Sequence, residues 1–433
     1  MSDVPPSYSH YAFCSNQAVP QYTELPSRCE RLLRTSDVGQ RPSMSEGSRS
    51  TSYEREYVYK SDSFTLNLGR QRWGLLYAAY GRNGVVSGTV KFRKRLSHVL
   101  SVTVQLEGYV TSSVSQTLAV GGNPKRTLVS RRVDLFTASN GDSVHCGREF
   151  DFEIPLPEYT TDIEDHVPLP PSSTSYHGSA AAEITYTIQV DVARKGFRRH
   201  ENRSTPILYL PKTRPTLPPL TAIPPILPDL VVNERVRKVK VPYVWPKGHA
   251  PTATTTQELP TIHLLIPSPS CFTSGDCIPL SLSIMCPHAP AIPKLLTPNV
   301  GVFLVKKKKM WISQGREISV KEVLVSKATE FRMGDLREGT RYLTMEMQAG
   351  EPGYESSWML DGSVGVEYAI RVIIRPPCYA KHLPAFQHDE PVELTTDQFG
   401  SLERELLTMN GVPTPALGLY LVPGQVRPTS SLP

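Results

Sequence analysis

Cysteine is scarce: seven residues in 433, with no Cys-x-x-Cys pair. An odd, small number of this kind excludes a secreted disulfide framework and points to a reducing compartment. Cys271, Cys277 and Cys286 with His288 tempt a zinc reading, but structural zinc sites start from a Cys-x2–4-Cys pair and this spacing has none. Cysteines of this kind fill space on neighbouring strands. Long apolar runs are absent too. No stretch reaches the roughly 18 residues a membrane helix needs. The start, MSDVPPSYSH, lacks the basic-then-apolar order of a secretory signal peptide. The sequon Asn202-Arg203-Ser204 is then a chance occurrence. Catalytic signatures are missing as well: there is no nucleophile elbow, Walker loop or HExxH helix. Ser143 and His145 lie close in sequence, but Asn140-Gly141-Asp142 beside them reads as a turn. The expectation is a protein that is not an enzyme, with no cofactor and no metal. Charge of one sign is not concentrated either. Lys and Arg number 47 against 41 Asp and Glu, a net +6, which is mild for a nucleic-acid binder and compatible with weak attraction to an acidic membrane.

What the chain has is proline, 40 residues of it, which breaks helix interiors and is excluded from central ladders. Residues 1–54 are rich in Ser, Arg and Gly beyond Arg34 and are expected to be a disordered tail. From Tyr57 the texture becomes β-rich. Phe64, Leu66 and Leu68 alternate with polar positions, the period of a half-buried strand. Further runs follow at 84–92, 99–108, 131–137, 148–154, 184–192 and 207–210, with turn residues between them. Residues 215–257 are punctuated by proline and read as a semi-rigid linker, in which Val236 to Val241 alternates and can lie as a strand on a neighbouring domain. A second β-rich block spans 258–397, with runs at 261–266, 278–285, 300–305, 318–325, 340–347 and 364–374. Residues 398–433 are expected to be a flexible tail with one short helix near Leu402 to Met409. Many short strands without amphipathic helices predict an all-β fold of two tandem antiparallel β-sandwiches, with domains at 55–214 and 258–397.

Several segments resemble the arrestin-like fold, most closely that of fungal α-arrestins. In the first block these are Gly84-Val85-Val86-Ser87-Gly88-Thr89-Val90, Gln105-Leu106-Glu107-Gly108, Phe150-Asp151-Phe152-Glu153-Ile154-Pro155 and Leu208-Tyr209-Leu210-Pro211-Lys212-Thr213-Arg214-Pro215. In the second they are Leu264-Leu265-Ile266-Pro267-Ser268-Pro269 and Gly275-Asp276-Cys277-Ile278-Pro279-Leu280. The resemblance covers about residues 55 to 397. It implies an immunoglobulin-like architecture of two sandwiches packed end to end. It also implies an adaptor that links membrane cargo, such as a plasma-membrane transporter or receptor, to ubiquitination and endocytosis. Such an adaptor is cytoplasmic and peripheral at the plasma membrane and endosomes.

Pro5-Pro6-Ser7-Tyr8 is a PPxY sequence. Two prolines hold the backbone near polyproline II, so docking into the aromatic groove of a WW domain orders little additional chain. Tyr8 lies one turn of that helix after Pro5 and fills a second pocket. In α-arrestins such motifs recruit HECT-type ubiquitin ligases that carry WW domains. Pro376-Pro377-Cys378-Tyr379 is a second copy. It follows a strand, so Tyr379 either faces a partner or packs as core, and two reachable copies raise avidity for tandem WW domains. Leu156-Pro157-Glu158-Tyr159 is a relaxed variant with a structural reading. Lys306, Lys307, Lys308 and Lys309 form a candidate site for acidic lipid or phosphate; the competing reading is a solvated turn that blunts a sheet edge. Lys91, Arg93, Lys94 and Arg95 pose the same choice on the first block. Serines among arginines at 34–55 are candidate phosphorylation sites. The alternative to ligase recruitment is an arrestin-fold scaffold of endosomal sorting, in which the PPxY copies carry no function.

Overall fold

The computed structural model describes residues 55–114, 125–145, 147–161, 167–178, 180–196, 200–223, 234–245, 259–312, 317–380, 383–409 and 411–420. Pro5, Pro6, Ser7 and Tyr8, with the serine-rich segment after them, lie outside these residues. Apolar side chains at every second position give strands such as Phe64–Arg70 and Ala180–Arg194 one buried face, and two such faces close over a core.

The first sandwich uses ten strands. They are β1 (Glu56–Lys60), β2 (Phe64–Arg70), β3 (Ala79–Tyr80), β4 (Val85–Phe92) and β5 (Leu96–Val114), then β6 (Lys125–Val144), β7 (Glu149–Pro155), β8 (Ser173–His177), β9 (Ala180–Arg194) and β10 (Glu201–Tyr209). One sheet has the order β1-β2-β4-β7; the other runs β3-β10-β9-β5-β6, with β8 also on β9. All pairs are antiparallel except β3 with β10. Phe64, Leu66, Val90, Phe92, Val104, Leu106, Tyr186 and Ile188 are fully buried between the sheets.

The second sandwich begins inside the proline-punctuated segment. Its strands are β11 (Val236–Lys240), β12 (Tyr243–Val244), β13 (Thr261–Pro267), β14 (Cys271–Thr273), β15 (Cys277–Met285) and β16 (Val300–Ile312), then β17 (Glu317–Lys327), β18 (Thr329–Arg337), β19 (Thr340–Gln348), β20 (Trp358–Leu360), β21 (Val364–Ile374) and β22 (Ala385–Thr395). The sheets are β11-β13-β15-β19-β18 and β12-β22-β21-β16-β17, with β14 and β20 appended to the second. The alternating Val236 to Val241 segment is indeed a strand, antiparallel to β13. A short helix, α1 (Ala291–Leu296), precedes β16.

Three sequence readings need correction. Asn140, Gly141 and Asp142 lie within β6, where Asp142 pairs with Val99, and not in a turn. The lysine run is neither a turn nor an edge, because β16 continues through it between β21 and β17. The tail is not loose from residue 398 onward. Helix α2 (Ser401–Thr408) forms at the expected place, and residues 411–420 then pack as a strap, with Ala416 buried and its N–H donating to the Leu210 carbonyl at 2.9 Å.

The two sandwiches share a seam. Met310, Leu360 and Val364 of the second belong to the core of the first. Arg126 on β6 donates to the Asp361 carbonyl at 2.9 Å, and the His177 ring pairs with Ser319 at 2.9 Å. The exit of the first sandwich is bonded to the end of the second. The Thr213 N–H donates to the Thr396 hydroxyl at 2.9 Å, and the Asp397 N–H donates to the Thr213 carbonyl at 3.0 Å.

Candidate functional site

The second PPxY copy is the loop that joins β21 to β22. Its first anchor is Ile374, the buried last residue of β21, and its second is Ala380, also buried. Between these anchors Arg375, Cys378 and Tyr379 face solvent, and Tyr379 is 75% exposed. The Ala380 N–H donates to the Pro377 carbonyl at 2.9 Å, so the chain turns directly after the diproline. Tyr379 therefore does not pack as core. The relaxed variant behaves differently. Glu158 pairs with Arg82, and Tyr159 forms a bridge with Pro168, so that segment is bound into the first sandwich.

The lysine run illustrates strand alternation. Successive side chains point to opposite faces, so the four cations form two pairs rather than one patch. On the outer face, Lys307 Nζ lies 2.7 Å from Asp389 and Lys309 Nζ lies 2.6 Å from Glu367. Arg371 joins them, donating to both Asp389 and Glu322. Hydrogen bonding from Arg371 is the largest cause that holds Asp389 down to about 2, with Lys307 adding to it and burial opposing. On the inner face, Lys306 Nζ pairs with Glu355 at 2.6 Å and lies over the Tyr368 ring. Lys308 lies beside it. Both line a cleft of about 570 Å³ whose opposite wall is β8 and neighbouring strands of the first sandwich.

The other sequence candidates fall elsewhere. Arg93, Lys94 and Arg95 are exposed in the β4–β5 connection, while Lys91 pairs with Glu149 at 2.6 Å. Cys286 is buried, Cys271 is partly buried, and Cys277 is exposed rather than a core filler. Among the described residues no group of His, Cys, Asp and Glu is gathered for a metal ion. No described helix is long and apolar enough to cross a membrane.

Sequence reasoning missed the cleft and the strap. The signal for the first was present, since Lys306 and Lys308 continue the inward series of Val302 and Leu304. Neither a family model nor a curated protein matches the chain.

Proposed function

We propose that the protein is a non-enzymatic trafficking adaptor of the arrestin-like kind. It recruits a WW-domain HECT ubiquitin ligase through PPxY sequences and carries membrane cargo on its two sandwiches. The observation that carries this reading is the exposure of Tyr379 on a loop whose two ends are anchored in the second sandwich. An exposed tyrosine behind a diproline offers a WW domain a rigid aromatic anchor at small entropic cost. Pro376, Pro377 and Tyr379 form this site, and Pro5, Pro6, Ser7 and Tyr8 form its counterpart in the N-terminal segment. Cargo would be a plasma-membrane transporter or receptor, met in the cytoplasm at the plasma membrane and endosomes.

A second reading is a cargo scaffold of endosomal sorting that recruits no ligase. The Pro377–Ala380 turn favours it, because a WW groove takes an extended ligand and this segment bends after its second proline.

Binding to tandem WW domains from a HECT-type ligase separates the two. Loss of an aromatic anchor costs about 2 kcal/mol or more, so Tyr379→Ala is expected to weaken binding by about 30-fold. Tyr379 is exposed, so this variant keeps its fold. Tyr8→Ala measures the other copy, and the double variant is expected not to bind. Equal binding by all four proteins, or none by the unmutated chain, would leave the scaffold reading in possession.

A further inference from the structure

We propose that the cleft between the two sandwiches binds a phosphate monoester group, with Lys308 as its principal cation. This stands independently of WW docking. Lys306 and Lys308 project from one face of β16 into the cleft. Lys306 is already neutralised by Glu355. Lys308 makes no ion pair among the described residues, and it stands directly opposite Lys321 on β17. Like charges at such a cross-strand position repel. Burial, together with Lys306 and Lys321, pushes the Lys308 ammonium below the ordinary lysine range, and Glu355 works against them. A half-buried strand position next to two other cations favours almost any residue over lysine, unless an anion completes the site.

The far wall supplies what an anion with several acceptor oxygens requires. Strand β8 runs along it from Ser173 to Tyr176, and strand alternation turns two of these four hydroxyl side chains toward the cleft at a time. The carboxylate lining the cleft, Glu183, is exposed and accepts from the Thr185 hydroxyl. A phosphate monoester carries about −1.5 to −2 charge and three strong acceptor oxygens, whereas a carboxylate would leave much of this donor set unused. The volume lies in the range of small-ligand sites. The phosphate can belong to a soluble small molecule or to a lipid headgroup, and the recognising chemistry is the same.

Titration calorimetry of the full-length protein with glycerol 3-phosphate tests the soluble source. Cosedimentation with phosphatidylcholine vesicles, with and without phosphatidic acid, tests the lipid source. Lys308→Gln is expected to reduce affinity about tenfold or more, the loss of one charge-assisted contact. Lys309→Gln removes the same charge from the opposite face of the same strand and is expected to change it less than about twofold, as a distant charge does. Lys308→Arg should retain binding. A melting scan confirms that each variant is folded, and Lys308→Gln should melt no lower than the parent, because it relieves the repulsion with Lys321. Binding in either arm with this selectivity supports the site and identifies its source. No binding in either arm, or equal losses for Lys308→Gln and Lys309→Gln, overturns it.

Discussion

Glu405→Ala is expected to release the C-terminal strap from the sandwiches. Glu405 sits on α2 with its side chain 9% exposed, and four partners converge on it. Lys212 lies 3.3 Å away and Arg214 pairs with the same oxygen. The Thr414 N–H and hydroxyl donate to the other oxygen at 2.7 and 2.6 Å. One carboxylate thus joins the exit of the first sandwich, the helix and the strap. Removing it leaves two partly buried cations short of a counter-charge, with only Lys212 retaining Asp397 at 3.2 Å. Breaking a buried pair costs about 3–5 kcal/mol, and the partial exposure of Lys212 and Arg214 reduces this to about 2–3. The strap's local stability falls by that amount, so chymotryptic cleavage at Leu419 and Tyr420, followed by mass spectrometry, should accelerate at least tenfold.

The same carboxylate gives the strap a pH dependence. Burial works to raise the Glu405 pKa, but the Thr414 hydrogen bonds and the Lys212 and Arg214 charges outweigh it, and the net position is below the ordinary value. A depressed carboxylate contributes stability that is complete above its unfolded pKa, about 4.3, and is lost as pH falls through the folded pKa. Strap release in the parent protein should therefore begin below about pH 4, and Glu405→Gln should already show it at neutral pH. Cleavage rates that match between parent and Glu405→Ala would mean that the strap is held by its apolar contacts alone.

The elements legible in the sequence were those whose partners repeat locally. The runs at 261–266, 278–285 and 364–374 coincide with β13, β15 and β21 within one or two residues, because alternation or continuous apolarity marks a strand whatever it pairs with. The apolar signal of β16 ends at Val305, where the sequence turns to lysine, although the strand continues to Ile312. Nothing in that run shows that Glu355, Glu367 and Asp389 wait on the neighbouring segments to receive it. Strand β18 carries only a short alternation, Phe331 and Met333 with Glu330 and Arg332, and its charged residues suit the exposed edge it forms. The strap has no periodic signal at all. Its order comes from remote groups: the Leu210 carbonyl, Glu405, and Gly81, where an added Cβ would lie 2.5 Å from the Thr414 carbonyl oxygen. The exposure of Tyr379 was equally out of reach, because an aromatic residue after a strand is as well suited to a core as to a ligand. The PPxY pattern itself is local, and so it was read at once.

Gly108→Val is expected to destabilise the first sandwich strongly. The β-rich run read from the sequence, 99–108, ends at this glycine. In the structure β5 continues to Val114, and Gly108 pairs with Val129 on β6 and Tyr186 on β9. Its backbone is ordinary, so space and not conformation demands glycine here. A Cβ at Gly108 would lie 2.6 Å from two carbons of the Tyr186 ring and 2.7 Å from Val129 Cγ1. The ring cannot yield easily. It is fully buried, its hydroxyl donates to the Pro170 carbonyl at 2.6 Å, and it packs edge-on to Tyr209 with centroids 5.4 Å apart. Overpacking a core costs about 1–3 kcal/mol per intrusion. Gly108→Ala should fall near 2, since its gain in chain stiffness offsets part of the clash, and Gly108→Val near 3 or more. Urea denaturation checks both. Truncating the obstacle should lower the cost: in a Tyr186→Leu background, itself destabilised, Gly108→Ala should cost about 1 kcal/mol less than in the parent. Undiminished cost in that background would mean that the clash lies with Val129 and the β6 ladder instead of the tyrosine.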